Sequence, residues 1–150
     1  MHFRAALPSD AAKISALIMS FQSQLTSHPD GRGAEQFFAS VSEESERGYI
    51  KSARYEYLLA EENNDLAGFV AIRDKTHVFH LFVARHFQRA GLARGLWNRV
   101  RRPAVRYTVN ASLDAIPAYE RFGFVAAGPQ QQAHGIVFQP MQLELAENGA

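Results

Sequence analysis

One stretch, Val83 to Trp97 (VARHFQRAGLARGLW), constrains this chain more than any other. It reads as a strand end, a tight basic turn and a helix start. Within it, Gln88-Arg89-Ala90-Gly91-Leu92-Ala93 places small residues at the third, fourth and sixth positions. Such a turn leaves backbone N–H groups uncovered at the positive end of a helix, and that geometry binds phosphate. The residues before it, His77 to Val83 (HVFHLFV), are apolar enough for a buried strand. After it, Leu92, Leu96 and Val100 recur at helical spacing, with Trp97 beside them. Strand, phosphate-binding turn and helix in that order predict a site for a nucleotide-like cofactor. The charge pattern agrees. Between Lys75 and Leu113 there is no Asp or Glu, while Lys75, Arg85, Arg89, Arg94, Arg99, Arg101, Arg102 and Arg106 hold half of the chain's 16 Lys and Arg. A solvated basic face usually carries some acids as well.

The flanking segments supply a sheet and helices. Phe3 to Ala6 is expected to be a short first strand. Pro8-Ser9-Asp10 signals a helix start, with Ser9 or Asp10 as N-cap, and Ile14, Leu17, Ile18, Phe21 and Leu25 form one apolar helix face. Ser27 to Gly33 is rich in turn formers. Ala34 to Tyr49 predicts one or two further helices, with Phe37, Phe38 and Val41 inward and Glu43, Glu44 and Glu46 on a solvated outer face. Tyr55 to Glu61 and Leu66 to Arg73 form a hairpin around Glu62-Asn63-Asn64-Asp65. Gly68 inside its second strand implies a bulge or a close backbone approach. Pro103 marks the end of the arginine-rich helix. Tyr107 to Asn110 is the next strand, and Ser112 or Asp114 caps a helix that carries Tyr119 and ends at Gly123. Phe124 to Ala127 starts a strand, Gly128 to Gly135 is a polar loop, Ile136 to Leu145 closes the sheet, and Glu147 to Ala150 is frayed. The order of elements is mixed, so the sheet should be mixed as well.

At 150 residues, with 47% apolar and 21% charged residues, the chain is expected to be one soluble domain over 1–150. No cysteine is present, which excludes disulfides, thiolate metal sites and a cysteine nucleophile. The six histidines show no i, i+4 pair and no local carboxylate cluster, so no metal is expected. No apolar run approaches the roughly 20 residues of a membrane span. MHFRAALPSD lacks the apolar core of a signal peptide, and a cytoplasmic location is the expectation.

Two blocks carry a resemblance. The first, Val83-x-x-x-x-Gln88-Arg89-x-Gly91-x-Ala93 after an apolar strand, is similar to the acetyl-CoA signature Q/R-x-x-G-x-G/A of the GCN5-related N-acetyltransferase (GNAT) superfamily. The second, Asn110 through Tyr119 to Gly123-Phe124, resembles that superfamily's later strand-helix-strand segment, N-x-x-x-x-A-x-x-x-Y-x-x-x-G-F. The likeness covers roughly Tyr55 to Phe138. It implies an α/β (α+β) fold: a mixed, mostly antiparallel sheet of about six to seven strands flanked by about four helices. It implies acetyl-CoA as co-substrate and direct transfer of an acetyl group to a primary amine. The pyrophosphate would rest on the N–H groups of Gln88, Arg89, Ala90, Gly91, Leu92 and Ala93, with Arg89 and Arg94 near the phosphates. The pantetheine arm would lie along Leu81, Phe82 and Val83 like an added strand, beside Asn110. Tyr119 occupies the position of the tyrosine that protonates the departing thiolate.

The general base is open at this point. His77 falls where some members carry a glutamate, and a histidine near pKa 6.5 suits removal of a proton from an ammonium. His80 is a second candidate, on the opposite strand face by alternation. The acceptor is open too: a small amine, an amino acid, a peptide N-terminus, a lysine side chain or an antibiotic all fit, and the resemblance implies that the helical region from Ala34 to Tyr49 lines the acceptor side of the cleft. The arginine stretch also admits a nucleic-acid-binding reading, against which the absence of interleaved exposed aromatics counts. A non-catalytic acyl-CoA-binding protein and dimerisation through the final strands are further expectations to weigh.

Overall fold

Turns with backbone in the left-handed region set the centre of the sheet. Asn63 (φ 52°) and Asn64 (φ 67°) join the first hairpin, and Asp74 (φ 51°) and Lys75 (φ 68°) turn the chain again. Asn and Asp tolerate that region because their short side chains bond locally. In the computed structural model, which describes residues 1–143, the strands are β1 (His2–Ala5), β2 (Tyr55–Glu62), β3 (Asp65–Arg73), β4 (His77–Val83), β5 (Thr108–Ala111), β6 (Phe124–Ala126), β7 (Gln131–Ala133) and β8 (Ile136–Leu143). The helices are α1 (Ala11–Met19), α2 (Gln22–Leu25), α3 (Glu35–Ser40), α4 (Glu43–Lys51), α5 (Leu92–Val100) and α6 (Ile116–Arg121). The strand order is β1-β2-β3-β4-β5-β8-β6, with β7 also on β8. Every pairing is antiparallel except β4 with β5. The mixed, mostly antiparallel sheet therefore stands as expected, with eight strands and six α-helices among the described residues.

The sheet buries both faces. On one side Leu96, Trp97, Tyr107 and Phe124 pack at 2% exposure or less; on the other Ile14, Ile18, Leu59 and Phe69 do the same. Burial of such side chains stabilises by roughly 1.5–3 kcal/mol each. These two apolar layers hold α5 and α6 against one face and α1 and α4 against the other.

Two sequence expectations change. The apolar face from Ile14 to Leu25 is carried by two helices, because α1 stops at Met19 and α2 restarts at Gln22. The polar loop from Gly128 to Gly135 contains β7, which pairs Gln131 with Phe138 and Ala133 with Ile136. Its side chains show no alternation, so the strand exists through its backbone bonds to β8 and through a two-residue turn at His134 (φ 52°) and Gly135 (φ 76°). A Cβ built on Gly135 would lie 2.7 Å from Ala34 Cα, so that turn seats directly on the loop before α3. The Ser27 N–H donates to the Gly135 carbonyl at 2.8 Å and seals the contact. The expected end of β8 at Leu145 and the tail at 147–150 lie outside the described residues.

Candidate active site

The site begins where two strands part. β4 and β5 are in parallel register only at His77 with Thr108 and Val78 with Val109. Beyond Val78 the edge of β4 that faces β5 has no strand partner among the described residues, and a cleft of about 270 Å³ opens between them. A β-bulge shapes the same strand: Ala71 pairs with His80 and Ile72 with Val78, leaving Phe79 as the extra residue. The bulge shifts the alternation. Val78 packs with the α5 layer, whereas His80 contacts Tyr57 and Phe69 of the α1–α4 layer. His77 and His80 therefore share one face, which corrects the opposite-face expectation; simple alternation holds only for an unbroken register.

On the other side of β4, Gly68 of β3 makes the close backbone approach its position implied. A Cβ there would stand 2.8 Å from the Phe82 carbonyl oxygen. Leu81 and Val83 pack against the α5 layer, and Phe82 lies 5.9 Å from the Phe69 ring and 5.8 Å from Phe21. After β4 the chain makes a 3-10 turn at Arg85–Phe87, and Gln88 donates through Nε2 to the Val83 carbonyl at 2.9 Å. That bond ties the turn back to the strand end.

The turn itself is strained in a useful sense. Arg89 (φ 66°) and Gly91 (φ 79°) both occupy the left-handed region, and Gly91 is the N-cap of α5 without a side-chain cap bond. Among the described residues, nothing accepts from the backbone N–H groups of Arg89, Ala90, Gly91, Leu92, Ala93 or Arg94. A Cβ on Gly91 would meet no atom within 4 Å, so the space before the turn is open. A second cavity of about 280 Å³ lies there, bordered by Val83, Gln88, Arg89, Gly91 and Ala93, with Arg94 and Arg121 at its edge. Leu92 is 8% exposed and anchors the helix start in the core. Uncovered N–H groups, a helix N-terminus and flanking guanidiniums fit a phosphate-bearing group.

Tyr119 and Asn110 face the β4–β5 cleft together with His77, His80, Leu81 and Phe82. The Tyr119 side chain packs edge-on against Phe122 and Phe124, and burial raises its pKa. Its hydroxyl has no partner among the described residues. The one buried side-chain polar atom left without a partner there is Trp97 Nε1, so the Tyr119 oxygen reaches accessible space. A tyrosine that merely packed under the sheet would bond its hydroxyl to a carbonyl.

The two histidines differ. His77 Nδ1 lies 2.8 Å from Thr108 Oγ1, and burial with the nearby Arg73 charge pushes its pKa down to about 4. His80 is 8% exposed, and its Nε2 lies 3.0 Å from Glu46 Oε2. The other oxygen, Glu46 Oε1, accepts from Tyr57 Oη at 2.6 Å. A carboxylate only accepts, so His80 Nε2 carries a proton, and in the neutral imidazole Nδ1 holds the lone pair. His80 Nδ1 has no partner among the described residues and, by the same argument as for Tyr119, reaches accessible space.

Glu46 is the residue that sequence reasoning misplaced. It is fully buried, while Glu43 and Glu44 are exposed as expected. One signal was present: Glu46 stands three and four residues before Tyr49 and Ile50, on the same helical face.

His77 carries a pH signature. Its folded pKa, about 4, lies below the ordinary 6.5. The unfolded chain therefore binds the proton more tightly between those values, and stability falls as pH drops from about 6.5 to about 4. His77→Gln is expected to shrink the loss of melting temperature between pH 7 and pH 4.5; an unchanged loss would refute the assignment.

The fold is shared with acetyltransferases of known structure. A GCN5-related N-acetyltransferase from Rhodopseudomonas palustris superposes with a TM-score of 0.75 at 20% identity, covering 96% of this chain and 95% of that one. The PaiA N-acetyltransferase from Thermoplasma acidophilum, in complex with coenzyme A, gives 0.70 at 11% identity, covering 95% and 98%. An aminoglycoside 6'-N-acetyltransferase complexed with coenzyme A gives 0.68 at 13% identity, covering 95% and 96%. No curated protein matches the sequence significantly. The family model for the acetyltransferase (GNAT) domain matches residues 25–145, and the chain belongs to that family.

Proposed function

We propose that this protein is an acetyl-CoA-dependent N-acetyltransferase that moves an acetyl group directly to a primary amine within a ternary complex. One observation carries the reading: the unpartnered Tyr119 hydroxyl and His80 Nδ1 border the same strand fork, next to the uncovered N–H groups of the α5 turn. The residues from Arg89 to Arg94 would hold the pyrophosphate, since the Gln88 N–H expected to join them already donates to the Arg85 carbonyl at 3.3 Å, and Leu81 to Val83 with Asn110 would hold the pantetheine arm. Bound there, acetyl-CoA supplies an electrophilic thioester carbon and a thiol leaving group. His80 takes the proton from the attacking amine, and Glu46 stabilises the imidazolium that forms. The new C–N bond forms as the C–S bond breaks, and Tyr119 donates its proton to the departing sulfur. Its raised pKa keeps it protonated, and an apolar wall raises the basicity of a thiolate in the same way.

His80 suits the base role better than His77. Among the described residues His80 alone of the two has a carboxylate behind it, and the nitrogen of His77 that is held by Thr108 is not free to accept. His77 lines the acceptor end instead. The nucleic-acid reading loses support because several arginines of the basic stretch are engaged within the chain. Arg85 bonds the Ser20 carbonyl, Arg99 stacks 3.7 Å from the Phe3 ring centroid, and Arg102 pairs with Glu56.

A thermal melt tests the proposal. A ligand at about 100 times its dissociation constant adds roughly 2.7 kcal/mol, a rise of about 5–10 °C for a chain of this size. Acetyl-CoA is expected to produce that rise. Gly91→Val, which forces a β-branched residue into the left-handed region and fills the space before the turn, should abolish most of it. No rise with acetyl-CoA would refute the proposal.

A further inference from the structure

The acceptor end of the cleft has a chemistry of its own, and we propose that it takes a primary amine bearing both a carboxylate and an apolar group, the apolar α-amino acids being the simplest members. This rests on the transferase reading above. Leu25, Phe37, Val41, Phe79 and Ile136 give the cleft an apolar wall, and no Asp or Glu borders it among the described residues. Glu46 stands behind His80 with both oxygens engaged. A polycationic amine such as a polyamine or an aminoglycoside would find no carboxylate among the described residues to meet its extra charges, and burying an unpaired ammonium is costly.

Arg73 is the cation that borders this end. Its Nε lies 3.8 Å from Asp74 Oδ2, but Asp74 is already held by Arg54 through bonds of 2.9 and 2.8 Å. The Arg73 guanidinium sits 5.4 Å from the Phe79 ring centroid, and among the described residues nothing accepts from its two terminal nitrogens. A planar fork with open donors matches a carboxylate in a bidentate fashion. Arg73 pairs in register with His77, and the bulged β4 brings His80 onto the same face. A carboxylate on Arg73 would therefore lie on the same side of the sheet as the base, with the apolar group against Phe37 and Phe79.

The test follows thiol release from acetyl-CoA by the full chain, with a thiol-reactive chromophore. The acceptors are L-phenylalanine, L-leucine and L-methionine, the amide of each, phenethylamine, spermidine and kanamycin. The amino acids are expected to exceed their amides in kcat/KM by about tenfold or more, mostly through KM, the scale of one charge-assisted hydrogen-bond pair. Arg73→Gln should bring that ratio close to one. The inference is overturned if amides or spermidine are used as well as the amino acids, or if the ratio survives Arg73→Gln. It is also overturned if no amino acid is acetylated by protein whose melting temperature acetyl-CoA raises, which leaves the transferase reading standing. Absence of that rise overturns both.

Discussion

Tyr119→Phe is expected to lower kcat by about 100-fold, the scale of one positioned general acid, or roughly 2.7 kcal/mol of transition-state stabilisation. The acetyl-CoA-induced rise in melting temperature should survive, because the phenyl ring keeps its edge-on contacts with Phe122 and Phe124. Stability without ligand should change little. The hydroxyl has no partner among the described residues, so its removal strands no buried group. Kinetics and a melt on the same preparation separate an acid from a packing residue. Unchanged turnover would remove Tyr119 from the chemistry. A large fall in stability would make it structural.

The second large effect belongs to His80. His80→Ala is expected to cut kcat/KM by about 100-fold at pH 7, as for loss of a general base. The deficit should narrow toward pH 9, where more of the amine arrives neutral and needs no base. Glu46→Gln keeps the shape of the buried carboxyl but offers an amide N–H to Tyr57 or His80. If the amide donates to His80 Nε2, the proton moves to Nδ1 and the cleft-facing lone pair is lost. Glu46→Gln should therefore share the pH-dependent deficit of His80→Ala. A deficit independent of pH, or none, would contradict the base assignment.

What the sequence disclosed and what it hid divide along physical lines. The strand His77–Val83, the hairpin before it and the start of α5 at Leu92 were legible, because turn chemistry and apolar periodicity are local properties. So was the uncovered turn, since Gly91 stands where the chain needs positive φ. The face of His80 was not legible: a bulge is a property of pairing with β3, and one extra residue reverses the alternation that follows. Burial of Glu46 was hidden for a related reason. Its partners Tyr57 and His80 lie 11 and 34 residues away, and only the assembled sheet brings them to one carboxylate. β7 escaped because two glutamines show no apolar alternation; the backbone of β8 makes that strand.

The proposed chemistry takes place at the fork between β4 and β5 and the turn that follows it. Amide hydrogen exchange, with and without saturating acetyl-CoA, measures that place most directly. The predicted result is slowed exchange in 79–83 and 89–94, where strand-edge and turn N–H groups gain partners, with little change in the β7–β8 hairpin. Protection confined to other segments, or none at either stretch, would contradict the account.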